Sequence, residues 1–232
     1  MKKIFDHKLL TSYIETYSLN SIFKEKILGY MELFKFNKGE LICTKDSEIE
    51  YMYFLVEGKI KVSTLHDNGK SVLLRFNKPL SIFGDIEFLT DYKVQCNAEA
   101  QSQALLIGIK MDILKTYAYE DTKFLQFLIK NLSEKLYVIS NSTSINLSYN
   151  LENRLASYII SIIDDENNLT NKEVDFSKPT EIASLLGTSY RHLNRVIQEL
   201  VSKGIIEKNK KIVTVKNLKK LKELSDGNIY EN

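Results

Sequence analysis

Cysteine and histidine are scarce in this 232-residue sequence, which has two cysteines and three histidines. Cys43 and Cys96 are too few and too far apart to form a zinc cluster or a four-cysteine iron–sulfur site within one chain. Three histidines also argue against a metal enzyme with several histidine ligands. We therefore expect no metal cofactor, and so few cysteines fit a reducing compartment.

Long apolar runs are also missing. The uninterrupted apolar stretches span only a few residues, as in Ala104 to Ile107, whereas a helix that crosses a bilayer needs roughly 20. The segment from Met1 to His7 is basic, but an acid and further lysines precede any apolar stretch of the kind a signal peptide needs. We expect a cytoplasmic protein with no membrane partner.

The composition is that of a folded globular protein, with 44% hydrophobic and 27% charged residues. A length of 232 residues favours two domains. The net charge of +2 is unevenly distributed, because residues 178–222 contain eleven Lys or Arg and three acids, which gives +8 and leaves −6 for the remainder. A basic C-terminal segment indicates a module that binds a polyanion.

Short apolar or alternating runs separated by turn residues extend from Glu32 to Lys110. Strands at such regular spacing are typical of an all-β barrel or roll. Between two of these runs, Asn68-Gly69 predicts a hairpin with a type I′ turn, because both residues tolerate a positive φ. Residues 1 to about 30 have helical spacing and predict a short helical lead-in.

A long helix is predicted from about residue 116 to 148, where glycine is absent and the apolar period is helical. Its a/d seam repeats at spacings of 4 and 3 over three heptads and consists of Leu125, Ile129, Leu132, Leu136, Ile139, Thr143 and Asn146. Packing of this seam against its own domain is one interpretation. We favour a dimer interface formed by its five apolar residues, because apolar residues at 124, 127 and 128 can cover the β domain instead.

The predicted hinge is Tyr149-Asn150, which divides the chain into an N-terminal domain with the long helix, residues 1–148, and a C-terminal domain, residues 149–232. After the hinge, Leu151 to Ile163 predicts an amphipathic helix. A polar loop from Asp164 to Asn171 follows it.

Two helices joined by a tight turn are predicted from Lys178 to Leu200. Thr180 is the predicted N-cap of the first helix, Gly187 ends that helix in a left-handed conformation, and Ser189 caps the second helix. A basic hairpin follows Gly204, so the segment predicts a winged helix-turn-helix.

The outer face of the second helix carries residues expected to read DNA. Arg195 and Arg191 can each make bidentate contacts to guanine, whereas the lysines of the wing suit phosphates. The alternative is a small helical hairpin whose lysines form a solvated face, which the coincidence of caps, turn glycine and basic wing disfavours. The predicted DNA-binding residues are Thr180, Ser189, Tyr190, Arg191, Asn194, Arg195, Lys208, Lys210 and Lys211.

Three motifs carry a family resemblance: Tyr53–Val62, Ile82–Leu89, and Thr180–Leu200 with Gly204-Ile205-Ile206. Over about residues 20–222 the chain resembles the catabolite-activator/fumarate-nitrate-regulator (CRP/FNR) superfamily of bacterial transcription factors. The resemblance implies an α+β fold with an N-terminal double-stranded β-helix of the cyclic-nucleotide-binding type, a long dimerisation helix and a C-terminal winged helix-turn-helix. It also implies that the N-terminal domain senses an effector.

In that family the segment matching Phe83 to Leu89 holds a cyclic nucleotide, with an acid on the ribose and a downstream Arg-Ser pair on the phosphate. Here Asp85 stands where cyclic-AMP binders carry glutamate, and Gln95-Cys96 stands where Arg-Ser falls. A buried phosphate then lacks its bidentate counter-charge, so cyclic AMP is not expected, and Lys93 could replace the arginine only if the loop register shifts. By resemblance, the candidate effector residues are Phe83, Gly84, Asp85, Ile86, Gln95, Cys96, Ser140 and Asn141.

Haem and an iron–sulfur cluster are not supported as cofactors. Oxygen-sensing relatives use several N-terminal cysteines, whereas the first cysteine here is Cys43. Cys96 is either a redox handle or a small structural cysteine, and we favour the structural role.

We expect a homodimeric, sequence-specific DNA-binding transcription regulator that acts on a palindromic promoter site under an effector that the sequence does not identify. Activation is favoured over repression, because most family members activate by contacting RNA polymerase. Arg195 matches the base-reading arginine of the family, whereas Tyr190 and Arg191 replace the usual Arg-Glu pair, so the operator should differ from the usual half-site.

Two other classes of protein fit the sequence less well. A cupin-like metal-dependent enzyme built on the β-roll needs about three converging ligands, but the roll contains only one histidine, His66. A nucleotide-binding regulatory module for another protein would not need a recognition helix. We therefore expect a regulator and not an enzyme.

Overall fold

The computed structural model describes residues 1–65, 71–90, 92–163, 172–227 and 229–231. Three features discussed above, namely His66, the Asn68-Gly69 turn and the loop from Asp164 to Asn171, lie outside these residues. Among the helices that are described, none is both long enough and apolar enough to cross a membrane.

A short strand and three helices precede the β domain: β1 (Lys2–Ile4), α1 (His7–Thr16), α2 (Leu19–Ile22) and α3 (Glu25–Leu28). The helices confirm the predicted helical lead-in, whereas β1 was not predicted. The hydroxyl of Tyr13 donates to the Glu57 carboxylate, and that of Tyr17 donates to the backbone oxygen of Val56 at 2.8 Å. These two tyrosines fasten α1 and the residue that follows it to the β domain.

The β domain runs from Glu32 to Lys110, as predicted. Its elements are β2 (Glu32–Phe36), β3 (Leu41–Cys43), β4 (Tyr51–Glu57), β5 (Ile60–Leu65), β6 (Ser71–Asn77), β7 (Ile82–Phe83), α4 (Asp85–Leu89), β8 (Asn97–Ala100) and β9 (Ala104–Lys110). One sheet has the strand order β1-β2-β9-β4-β7 and the other has the order β3-β8-β5-β6. Strand β4 is buried continuously from Met52 to Val56, because both of its faces are covered.

Aromatic side chains pack the first sheet against helices. Phe23 lies edge-on to Phe54 with ring centroids 5.6 Å apart, and Phe88 lies edge-on to Phe124 at 5.5 Å. All four rings are buried. Edge-to-face ring pairs add to the stabilisation from burial alone.

The long helix α6 (Thr122–Ser148) follows a separate helix, α5 (Met111–Tyr117). The predicted start near residue 116 is therefore wrong. Asp121 sets the start, because its Oδ1 accepts the backbone N–H groups of Lys123 and Phe124 at 3.1 and 3.2 Å. The N-terminal half of the helix covers the β domain through Phe124 and the residues in phase with it, as predicted.

The C-terminal elements form a winged helix-turn-helix and confirm the predicted fold class. They are α7 (Leu151–Ile163), β10 (Glu173–Asp175), α8 (Pro179–Leu185), α9 (Tyr190–Ser202), β11 (Ile206–Asn209), β12 (Ile212–Val215) and α10 (Leu218–Ser225). The sheet has the order β10-β12-β11 and is antiparallel. The bounds of α7 are those predicted, whereas β10 and α10 were not predicted.

By compactness the structure divides into two units, residues 1–62 with 77–137 and residues 63–76 with 138–231. This division differs from the predicted boundary between residues 148 and 149. The reason lies inside the second unit, where Leu73, Phe76 and Ile145 belong to the same hydrophobic core as the helices of the helix-turn-helix.

Tyr230 anchors the C-terminal tail within the second unit, and its side chain is fully buried. Its backbone N–H donates to Ser161 Oγ and its hydroxyl donates to Asn146 Oδ1, both at 2.8 Å. Its backbone oxygen accepts from the Phe76 N–H at 2.5 Å. One residue thus ties the tail to β6, α6 and α7.

Tyr230→Ala is expected to lower the free energy of unfolding by about 3 to 5 kcal/mol, the range for removing a large buried ring. Tyr230→Phe keeps the ring and loses only the hydrogen bond to Asn146, so a loss of about 1 kcal/mol is expected. Urea unfolding followed by circular dichroism measures both variants. Equal losses in the two would contradict this description of the tail.

Candidate functional site

The first helix of the helix-turn-helix begins two residues earlier than a cap at Thr180 predicts. Pro179 is its first residue, and Lys178 occupies the N-cap position without a side-chain hydrogen bond. Proline suits the first helical position, because its fixed φ matches the helix and it has no N–H to satisfy. The predicted N-cap role of Thr180 is therefore wrong. Thr180 is exposed in the first turn, where contact with DNA remains a prediction.

The turn between α8 and α9 has the predicted chemistry. Gly187 has a φ of +61°, in the left-handed region that glycine adopts without strain. The N–H of Thr188 donates to the backbone oxygen of Ala183 at 2.9 Å and closes the end of α8. Ser189 Oγ accepts the N–H of His192 at 3.2 Å, which confirms Ser189 as the N-cap of α9.

Helix α9 has one buried and one exposed face. Its buried residues are Leu193, Val196, Ile197 and Leu200, as predicted. Tyr190 is 48% exposed, Arg191 is exposed, and the Arg195 side chain is 69% exposed. Arg195 Nε lies 3.8 Å from Glu199 Oε1, a loose surface ion pair of small energy. The guanidinium therefore remains in solvent at the surface of the helix.

The wing lies beside this helix. Its strands β11 and β12 are joined by Lys210, which has a φ of +51°, and by Lys211, and both lysines are exposed. Lys208 is half-buried and its Nζ donates to Asn194 Oδ1 at 3.2 Å. The structure thus brings together two predicted DNA-binding residues, one from the wing and one from the recognition helix.

The candidate effector segment opens with a glycine that no other residue can replace without strain. Gly84 has a φ of +91°, and a Cβ at this position would lie 2.6 Å from Met111 Cε and 3.2 Å from the Tyr51 backbone oxygen. The turn leads directly into α4, where Asp85 is 2% exposed. The adjacent Phe83 is buried, whereas Ile86 is exposed.

The charge of Asp85 is met by a residue that the sequence analysis missed. Lys135 Nζ of α6 lies 2.7 Å from each carboxylate oxygen of Asp85, and it donates to the backbone oxygen of Ile82 at 2.7 Å. Lys135 is buried like Asp85. The sequence does contain a signal for it, because Lys135 is in phase with Leu128 and Val138 on the buried face of α6.

A second acid lies close to this pair. Burial raises the pKa of Glu87, and the nearby charge of Asp85 raises it further. The cassette, defined here as Ile82 to Glu87 together with Lys135, therefore contains two acids and one buried cation.

The other predicted effector residues are Gln95, Cys96, Ser140 and Asn141. Gln95 is exposed and its Nε2 donates to the backbone oxygen of Lys93 at 2.8 Å, so this amide closes its own loop. Lys93 is exposed as well. Ser140 and Asn141 belong to the second compact unit.

Cys96 is half-buried, and its backbone oxygen lies 3.9 Å from Cys43 Sγ. Burial raises the pKa of the Cys43 thiol to about 12, which disfavours a reactive thiolate. Cys43 and Cys96 do not form a disulfide. A redox role of Cys96 gains no support from this arrangement. Within the described ranges, no group of three or more His, Cys, Asp or Glu side chains could hold a metal ion.

Two family models match the chain. One is described as a cyclic nucleotide-binding domain and matches residues 33–118. The other is described as a Crp-like helix-turn-helix domain and matches residues 153–224. Residues 82–87 of the cassette lie within the first match and the recognition helix lies within the second, whereas Lys135 falls between the two.

Known proteins are similar over most of the chain. Regulatory protein YeiL of Escherichia coli O157:H7 is 28% identical over 193 residues, which cover 83% of this chain and 85% of that protein. The solved structure of a putative transcriptional regulator of the CRP/FNR family from Eubacterium rectale has a TM-score of 0.79 at 15% identity and covers 93% of this chain and 99% of that one. A CRP-family transcriptional regulator from Thermus thermophilus has a TM-score of 0.71 at 22% identity, with coverage of 85% and 98%. The two solved structures establish the fold, and these matches give no support to a metal-dependent enzyme.

Ser189→Ala is expected to lower the free energy of unfolding by about 1 kcal/mol, because the N–H groups at the start of α9 lose their side-chain acceptor. Ser189→Asn is the matched control, since asparagine caps helices about as well as serine. Urea unfolding monitored by far-ultraviolet circular dichroism compares the two variants. A loss in Ser189→Asn as large as that in Ser189→Ala would refute the capping role.

Proposed function

Because the chain belongs to the CRP/FNR superfamily of transcription regulators, we propose that it binds a palindromic promoter site as a homodimer and activates transcription there. The observation that carries the proposal is the recognition helix α9, which is capped by Ser189 and carries solvent-exposed arginines on its outer face. A capped helix of this kind places its N-terminal residues against base edges in the major groove.

Helix α9 and the wing carry different kinds of basic side chain, and this difference supports sequence-specific binding. Arg191 and Arg195 present fork-shaped donors that suit guanine, while Lys210 and Lys211 at the tip of the wing suit phosphate oxygens. Lys208 and Asn194 are joined by a hydrogen bond, which fixes the wing strand against the reading helix. The proposed interface therefore has a reading element and a positioning element held in one geometry.

Helix α6 supports the homodimer. Ile129 and Leu136 on the a/d seam are 61% and 67% exposed, although both are large apolar side chains. The other apolar seam residues, Leu125, Leu132 and Ile139, are half-buried. A heptad seam on a long helix is matched by an identical seam, so a second copy of this chain is the occupant we propose.

A two-fold dimer presents two recognition helices, and two identical helices read two identical half-sites in inverted orientation. This symmetry is the reason for proposing a palindromic site. We further propose contact with RNA polymerase, as in most members of the superfamily, and action in the cytoplasm without enzymatic activity.

Arg195→Ala is expected to weaken binding to the specific operator by about 1 to 3 kcal/mol and to leave non-specific duplex binding nearly unchanged, because a base-edge contact contributes only when the right base is present. Selection from random duplexes with the wild-type protein first supplies the operator. Fluorescence anisotropy then measures both affinities.

Lys210→Ala is the contrasting variant, since Lys210 is exposed on the wing and suits a phosphate. It should weaken specific and non-specific binding together and reduce the salt slope by about 0.9 counterions per subunit. If Arg195→Ala weakened both duplexes equally, α9 would not be reading bases, and specificity would come from the wing or from DNA shape.

Leu136→Asp is expected to convert the dimer to a monomer, because it places a charge in an apolar seam twice over, once from each subunit. Sedimentation velocity at micromolar concentration measures the state. Lys130→Asp is the control, since Lys130 is exposed on the same helix but outside the seam. A monomeric wild type, or a Leu136→Asp variant that stays dimeric, would disprove the interface.

A further inference from the structure

We propose that Lys135 takes the place of a cyclic nucleotide in this chain, so that its ion pair with Asp85 holds α6 on the cassette and DNA binding requires no nucleotide. The inference rests on the proposed DNA-binding function and assigns its mode of control. It concerns a lysine of α6 that lies outside both family matches.

The Lys135 ammonium and the Asp85 carboxylate already bind each other, so an outside ligand is not needed to neutralise either charge. An ammonium group has three N–H donors, and Lys135 Nζ has three acceptors at 2.7 Å, namely both carboxylate oxygens of Asp85 and the backbone oxygen of Ile82. Asp85 is the acid that would meet a ribose in a nucleotide-binding relative. Here its charge is already matched by a buried cation from the same chain.

The electrostatics of the cassette also oppose a cyclic nucleotide. Between Ile82 and Asn97 the sequence has one cation, Lys93, and that side chain is exposed. Gln95, at the position of the phosphate-binding arginine, is exposed and bonds to its own loop. A nucleotide phosphate would thus meet two acids in the cassette, whose buried cation Lys135 is already paired with Asp85, and the arginine that would bind the phosphate is replaced by Gln95. The residues of the cassette therefore do not fit a cyclic nucleotide.

The ion pair has a structural consequence for α6. Asp85 and Ile82 belong to α4 and β7, whereas Lys135 lies near the middle of the long helix. A charge-assisted bond to two elements fixes the helix both along its axis and in rotation, which an apolar contact does only loosely. The same helix continues past residue 137 into the unit that contains the recognition helix. Lys135 therefore links α6 to α4 and β7, a link that a bound ligand would otherwise supply.

The experiment uses the full-length chain and the operator selected by the wild type. Operator affinity is measured by anisotropy without nucleotide and with millimolar cyclic AMP or cyclic GMP, and nucleotide binding is measured by calorimetry. The wild type should bind the operator equally well in all three conditions and give no heat of nucleotide binding. Lys135→Met and Asp85→Asn should each weaken operator binding on the order of tenfold, the size of a typical coupling between sites.

The matched control is Lys130→Met, which removes an exposed lysine from the same helix and should leave operator affinity unchanged. Each single variant at the ion pair changes one buried partner and can unfold the chain. The double variant Asp85→Asn/Lys135→Met avoids this, because neither charge remains. It should retain the native circular dichroism spectrum and bind operator about tenfold more weakly than the wild type, as each single variant does, since paired residues give non-additive losses.

Three results would overturn the inference. They are a wild type that binds operator only with a cyclic nucleotide, a stoichiometric nucleotide isotherm, and a folded double variant that binds operator as tightly as the wild type. A different result would show that the proposed DNA-binding function itself is wrong. If the wild type selects no duplex from the random pool, the proposed DNA-binding function fails, and the inference falls with it.

Discussion

Helix α6 carries two rows of side chains, one that packs within the chain and one that is proposed to pack on a second copy. The orientation of α6 has to serve both rows at once, and this is the main constraint on the structure. Its buried row is Phe124, Leu128, Asn131, Lys135, Val138, Ser142 and Ile145, and the a/d seam, which is half-buried or exposed, lies one residue later at each step. One residue turns an α-helix by about 100°, so the two rows face in different directions. The same spacing of 4 and 3 therefore encodes packing within the chain and also the proposed pairing with a second copy.

Much of the fold could be predicted from local patterns. The bounds of the β domain and of α7 follow from a change of hydrophobic period, and the turn at Gly187 and the cap at Ser189 follow from residues with strong conformational preferences. Strand β10 has three residues and exists through its pairing with β12, which no local pattern encodes. The start of α6 was misplaced for a related reason, because the carboxylate of Asp121 outweighs the helical period that precedes it.

The candidate site also contains some residues that local patterns predict and others that they do not. The residues of the recognition helix were predictable, since their exposure follows from the buried face of the same helix. Thr180 was assigned as a cap because threonine is a common cap, but Pro179 determines where α8 begins. The partner of Asp85 could not be deduced, because Lys135 is 50 residues away in the chain and the two meet only when α6 packs on the cassette. A lysine in phase with buried apolar residues was the single sign of it.

The ion pair and the seam are linked because they lie on one rigid helix. Lys135 precedes the exposed Leu136 by one residue, so any rotation that separates the ammonium from Asp85 also turns the seam away from its present direction. An apolar row alone would tolerate small rotations, since dispersion contacts are weakly directional. Three hydrogen bonds from one ammonium do not tolerate such rotations, because each requires its own acceptor at short distance. A buried charge that contributes little net stability can therefore still fix which face of α6 would be presented to the proposed second subunit.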